Sequence, residues 1–326
     1  ESPDATQSPD STAAPEDGED GEAEEEEDED MKTFYVGVES GYAGTFDDEI
    51  IKVHVHTEQP GNALSKGLEF GQLLTVKVEN MKEQHKNVKS TKKKAEKEKF
   101  VPAEPENDFG FVAVAAGNGL KDLFKDLGCD NVVSGGQSMN PSTDDIYEAI
   151  MATPAKNVLV LPNNKNIILA AEQTIPMVKD RNVIIVPTRT IPQGMTALLN
   201  FDSEISPESN AQLMMDAATG VGTGLVTFAA RNSEFGGKKI KEGDIIALEN
   251  GKLTITEKNP VKAVVKLAKN MVTRDTSFIT LIYGNDISEE DAKTAFNELS
   301  DKFGSRTDVT LVKGDQPVYY FILSVE

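Results

Sequence analysis

Three times between Val132 and Gly194 an apolar, β-branched run empties into a short polar loop marked by proline. Val132-Val133 leads into Ser134-Gly135-Gly136-Gln137-Ser138-Met139-Asn140-Pro141-Ser142-Thr143, Val158 to Leu161 into Pro162-Asn163-Asn164-Lys165-Asn166, and Val183 to Val186 into Pro187-Thr188-Arg189-Thr190-Ile191-Pro192-Gln193-Gly194. Short continuous apolar runs separated by helix-length segments predict buried parallel strands in βαβ units. Right-handed crossovers then bring all three loops to the carboxyl ends of the strands, the edge where open α/β sheets bind ligands or partners. The same pattern is also met by turns that are merely well capped.

Upstream, Ile51, Val53 and Val55 alternate with Lys52, His54 and His56, the period of a half-buried strand over 50–57. A strand over 33–38, a short helix opened by Pro60 with Leu64 and Leu68 on one face, and a returning strand over 73–78 complete a small α/β module at 31–81. Residues 82–106 carry eight lysines against three glutamates up to Lys99, then Pro102 and Pro105, and read as a linker. From Phe109 the main domain begins, with a strand over 111–115, a Gly117-Asn118-Gly119 turn that has the look of an anion-binding turn, and helices over 118–127, 143–151 and about 166–179, the last interrupted near Pro176. Ser142 or Thr143 is the expected N-cap of the second. After Gly194 come a short helical piece and a helix near 208–219. The pattern then changes to strands over 225–231, 245–249 and 253–256, with Asn250-Gly251 as a hairpin turn. A helix over 260–272, a strand over 278–283, a helix from Glu289 capped by Ser288 and Asp291, and strands over 309–312 and 318–324 close the chain. The expected fold is therefore α/β: a small α/β middle module, then a two-lobed α/β domain at 107–326 with lobes of about 107–200 and 201–326, the first lobe holding a mostly parallel sheet.

A chain of 326 residues with 38% hydrophobic residues and no tryptophan has room for two domains and a sizeable core. No apolar run approaches the ~20 residues of a membrane span, and the acidic start is no signal peptide. The single cysteine, Cys129, excludes an internal disulfide framework and fits a reducing cytoplasm. Net charge is −22, but residues 1–30 hold fifteen acidic side chains and no lysine or arginine, so the remainder carries only about −7. The tail reads as disordered, and the acidic balance argues against nucleic acid as a partner.

His54 and His56, two apart on a strand, project from one face about 7 Å apart. That spacing suits chelation of zinc, and it equally suits a polar strand face covered by the helix. No nucleophile elbow, zincin helix, phosphate loop or dinucleotide fingerprint is present: the third glycine after Gly117 and Gly119 would fall at Asp122. No aspartate cluster outside the tail suits Mg-ATP. The strand-end loops offer Gln137, Asn140, Asn163, Asn164, Thr188, Arg189 and Gln193, hydrogen-bonding groups around one cation, which fits recognition of a carboxylate, phosphate or protein loop better than acid–base work.

Several long, ungapped stretches resemble one family: Lys52 to Gly61, Val78 to Met81, Ser134 to Ile146, Leu161 to Ile167, Pro187 to Gly194 and Gln316 to Tyr320. The chain resembles, over about 50–326, the kinase subunit of bacterial fatty acid kinase, a dihydroxyacetone-kinase-like protein. That family joins an amino-terminal ATP-binding kinase domain, a middle domain and a carboxy-terminal DegV-like domain. The resemblance implies that this chain holds the middle and last parts, with ATP and magnesium belonging to the missing kinase domain. It implies that His54 and His56 are the paired metal ligands of the middle domain. The family's third ligand is a cysteine in a Gly-Tyr-Cys segment, where the nearest match here is Gly41-Tyr42-Ala43. The expected role is non-catalytic and cytoplasmic: homodimerisation, and docking of a fatty-acid-binding DegV-family partner for acyl phosphate formation. A stand-alone fatty-acid carrier is the alternative, and a free-standing enzyme at the strand-end loops a third that the absent nucleophile argues against.

Overall fold

The computed structural model describes residues 37–40, 51–54, 59–69, 71–73, 76, 100–135, 140–235 and 238–326. They fall in two units, Glu1–Lys92 and Lys93–Glu326.

In the first unit β1 (Gly37–Ser40) pairs antiparallel with β2 (Ile51–His54), Gly37 opposite His54. Helix α1 (Pro60–Leu68) opens with proline in its first turn, where the missing N–H would have had no helical partner. Leu73 and Val76, the described residues of the expected returning strand, carry no regular secondary structure.

Alternation of side chains organises the second unit. Its first sheet consists of β3 (Asn107–Val114), β4 (Asn131–Val133), β5 (Ala155–Leu161) and β6 (Asn182–Ile185), in the order β4-β3-β5-β6 and parallel throughout. Val112, Val114, Val158, Val160 and Val183 turn to one face and pack under α3 (Thr143–Met151) and α4 (Ile168–Glu172). Ala113, Ala115, Leu159 and Leu161 turn to the other, against α2 (Asn118–Asp126), α5 (Ile191–Leu199) and α6 (Pro207–Thr219). The same apolar cluster takes in Ile282 and Ile322 from a second sheet, so these three helices are the layer between two sheets.

That second sheet has six strands: β7 (Gly222–Phe228), β10 (Ile245–Glu249), β11 (Lys252–Glu257), β12 (Phe278–Tyr283), β13 (Asp308–Lys313) and β14 (Phe321–Val325). Their order is β11-β10-β7-β14-β12-β13, with β12 and β13 parallel and every other neighbouring pair antiparallel. Its far face buries Val226, Ile279, Leu281, Phe321 and Leu323 under α7 (Pro260–Met271) and α8 (Glu289–Phe303). A separate hairpin of β8 (Ser233–Phe235) and β9 (Lys238–Ile240), which the sequence pattern does not announce, branches off after β7.

Local signals account for most element ends. Ser142 and Asp145 form a reciprocal capping box on α3. Asn250 and Gly251, both at positive φ, make the tight turn joining β10 to β11. Four expectations are corrected. The helix expected over about 166–179 does break near Pro176, as expected, but its regular part is shorter: α4 ends at Glu172, and a 3₁₀ turn, Ile175–Met177, carries the proline. The third polar loop is shorter than expected, since Thr190 caps α5 and its last four residues are helical. The strand expected over 225–231 occupies Gly222–Phe228. The last strand begins at Phe321, not Val318, whose φ of 69° no strand accommodates.

Candidate functional site

The chain runs from β3 outward to β4, then crosses back to β5 and on to β6, so the order of connection reverses between the parallel strands β3 and β5. The carboxyl ends of those two strands flank the switch point at which open α/β sheets hold ligands. Asn163 sits there at φ 54°, a left-handed conformation that asparagine tolerates, and is only 6% exposed. Its Nδ2 donates to Val114 O at 3.1 Å, closing the gap to β3. Its Oδ1 accepts from Thr188 Oγ1 at 2.8 Å, and its N–H donates to the same hydroxyl at 3.1 Å, closing the gap to β6. Thr188 is fully buried. A methyl on Gly194 would strike the Asn163 amide, so the α5 backbone touches this node as well. Asn163 and Thr188 thus spend their hydrogen bonds inside the fold, tying β3, β5, β6 and α5 together.

The outer members of the rim pair differently. Asn164 Nδ2 reaches Asn140 Oδ1 at 3.4 Å, linking the loops after β5 and β4, while Asn164 Oδ1 accepts from Asn166 N at 3.0 Å and shapes the turn. Gln193 turns its Oε1 back to the Arg189 N–H at 2.8 Å. That bond holds the loop after β6 against the first turn of α5 and leaves the exposed Arg189 guanidinium without a hydrogen bond or ion pair among the described residues. Lys165, exposed beside Asn164, adds a second cation that the sequence pattern alone does not single out. Gln137 lies outside the described residues, as do His56 and the side chain of His54. Among the described residues no group of three or more His, Cys, Asp or Glu side chains is arranged to hold a metal.

Loop-to-loop contacts extend the rim toward the second sheet. Thr190 Oγ1 and Thr223 Oγ1 are 2.9 Å apart, joining the loop after β6 to β7. The Gly117-Asn118-Gly119 turn does not present a free helix terminus. Leu120 N–H donates to Gly314 O at 3.0 Å, and a methyl on Gly117 would lie 2.6 Å from Gln316 N. These glycines let the turn approach the loop between β13 and β14. No spacing rule in the sequence points to that long-range contact.

An open parallel sheet with a polar, cationic rim, backed by a second mixed sheet across shared helices, defines a two-lobed α/β domain. The chain belongs to the FakA-like family of fatty acid kinase proteins: residues 110–326 match the family's C-terminal domain and residues 38–88 its middle domain. Protein YloV of Bacillus subtilis is 40% identical over 280 residues, and an uncharacterized protein of Staphylococcus aureus strain USA300 is 35% identical over 280. Both alignments cover 86% of this chain, which spans about half the length of these relatives (50%). Solved structures with a similar fold include a DegV family protein from Corynebacterium glutamicum (16% identity, TM-score 0.48, 68% of this chain and 97% of that one). The Streptococcus pneumoniae fatty acid kinase B3 protein loaded with linoleic acid (10%, TM-score 0.43, 67% and 99%) is another. Dihydroxyacetone kinase from C. freundii in complex with AMP-PNP and Mg2+ (15%, TM-score 0.42, 77% and 57%) is a third. No helix among the described residues is long and apolar enough to cross a membrane.

Proposed function

We propose that this chain is the docking part of a fatty acid kinase, with the carboxyl edge of the β4-β3-β5-β6 sheet receiving a fatty-acid-binding, DegV-family protein. The observation that carries the reading is the division of labour along the rim. Asn163 and Thr188 are consumed in holding the edge rigid, while Arg189 is exposed with its guanidinium uncommitted among the described residues. A planar guanidinium on a preorganised loop grips a carboxylate in two places, on a protein surface or on a carried acyl group. Family membership supplies the reaction in which such docking has a purpose: ATP-dependent acyl phosphate formation, with ATP and magnesium handled by a kinase domain outside this chain. The first unit is assigned to homodimerisation, in keeping with the exposed Leu68, Leu73 and Val76.

Arg189→Ala tests the docking edge. Capture of the purified fatty-acid-binding protein should weaken by about 1–3 kcal/mol, the scale of a lost charge-assisted hydrogen bond. The melting temperature should stay put, because the side chain is exposed. Unaltered capture by a folded variant would place the interface elsewhere, and unfolding would show Arg189 to be structural.

A further inference from the structure

The loop between β13 and β14 is held by hydrogen bonds from several elements of the second unit. Tyr319 N–H bonds back to Pro317 O at 2.7 Å across Val318, whose φ is 69°. This is the γ-turn of positive φ, rare and strained, and a β-branched residue is the least suited to its centre. Thr227 Oγ1 holds the turn by donating to Val318 O at 2.7 Å. Gln316 is 1% exposed, and with its amide oriented to satisfy both ends it donates to Tyr283 O and accepts from Gly284 N at 3.2 Å each. Gly314 N–H donates to Tyr283 O at 2.9 Å, and Asn285 N–H to Gln316 O at 3.2 Å.

The far side of the same loop lies against the first sheet. Gly314 O accepts the Leu120 N–H in the first turn of α2. Gly117 and Gly119 have no room for a methyl because the backbone of Lys313 to Gln316 is there. The β3 side of the switch point, where a ligand would sit in an open α/β sheet, therefore faces the chain's own peptide groups. Tyr319 follows into the apolar layer between the sheets.

We propose that Lys313–Tyr319 is a strained latch: a strap from the second sheet that closes the β3 side of the switch point and holds the two sheets together, poised to release. It rests on the reading of the rim as a docking edge, because the latch would fix how that edge is presented. Strain stored at Val318 sets the latch nearer to opening than its hydrogen bonds alone would. Strained turns of this kind persist only where surrounding contacts over-determine them, which the bonds from Thr227 and around Gln316 do here.

Hydrogen exchange on the full chain tests the latch without any partner, so its failure is separable from failure of the docking reading. Gly119→Ala puts a methyl into the Lys313 backbone and should speed exchange at the Leu120 and Asn285 amides by roughly tenfold or more. Val160 in β5 should be unaffected. Val318→Gly relaxes the turn and should slow exchange at the same two amides. Should Gly119→Ala fail to fold, Thr227→Val, which removes only the hydroxyl that restrains Val318 O, should speed them instead. Unchanged exchange at Leu120 and Asn285 in the folded Gly119→Ala or Thr227→Val variant would overturn the latch. Faster exchange there in Val318→Gly would overturn the claim that the turn stores strain.

Discussion

Cys129 lies in the layer between the sheets, in the same apolar cluster as Phe124 and Val132. Burial pushes its thiol far above the ordinary range, and the neighbouring Asp130 carboxylate adds to the shift. The folded chain therefore keeps a proton that the unfolded chain releases once pH passes the ordinary thiol value of roughly 8.5. With more protons bound in the folded state, stability is unaffected below that pH and falls above it, by up to about 1.4 kcal/mol per pH unit. Tyr319, also raised by burial, joins in above the ordinary phenol value of roughly 10. Urea unfolding at pH 7 to 10 should show a steeper decline for the native chain than for Cys129→Ala, which is less stable at neutral pH but flatter toward alkali. Equal slopes would mean that the thiol ionises as freely folded as unfolded. Arg181 marks the opposite extreme of a buried polar group. Its Nη1 donates to Ile150 O and Thr153 O at the end of α3, and its Nη2 donates to Ala103 O and pairs with Asp180. It satisfies carbonyls that a helix end leaves open and seats residue 103 against the domain.

At the level of elements, the contact between α5 and the β5 loop makes a prediction whose sign depends on context. Alanine is ordinarily better than glycine inside a helix, by about 1 kcal/mol. At Gly194 the added methyl would strike the Asn163 amide, and overpacking of that kind costs about 1–3 kcal/mol. Gly194→Ala alone should therefore destabilise the chain. In an Asn163→Gly background, which removes the obstacle and suits the positive φ, the same substitution should become neutral or stabilising, as a double-mutant cycle of unfolding free energies would reveal. Legibility divides along the same line. The apolar runs at Val158–Leu161 and Val183–Val186, the Ser142 cap and the Asn250-Gly251 turn are readable because each signal lies within a few residues of the structure it specifies. Strand order is not: β3 lies between β4 and β5, so of the three loops only those after β5 and β6 leave adjacent strands. Nor is the sorting of the rim into buried and exposed members. Asn163 and Asn164 are neighbours of one residue type, and only partners at Val114, Thr188 and Asn140 distinguish them. Val318 reads as strand because its composition is strand-like, while its strain is imposed from Thr227 and Tyr283, far away in sequence.

On the scale of the whole molecule, charge and chemistry are divided along the chain. Of a net −22, fifteen negative charges lie in residues 1–30, and the three histidines, His54, His56 and His85, all precede the second unit. The only cysteine lies in that second unit and is buried in its core. The histidine nitrogens that this sequence offers a metal therefore all lie in the first unit. The backbone at His54 is a strand opposite Gly37. The nearest match to the family's Gly-Tyr-Cys segment, Gly41-Tyr42-Ala43, lies closer to the histidines than the family's segment does and has alanine in place of the cysteine. We predict close to one zinc per chain by elemental analysis after purification without chelators, lost in the His54→Ala, His56→Ala double variant. If a second copy completes the site, light scattering should also show the dimer weakening when zinc is removed, while a dimer indifferent to zinc would place all the ligands within one chain. A metal-free native protein, as stable as the double variant and equally associated, would leave the two histidines without a metal-binding role.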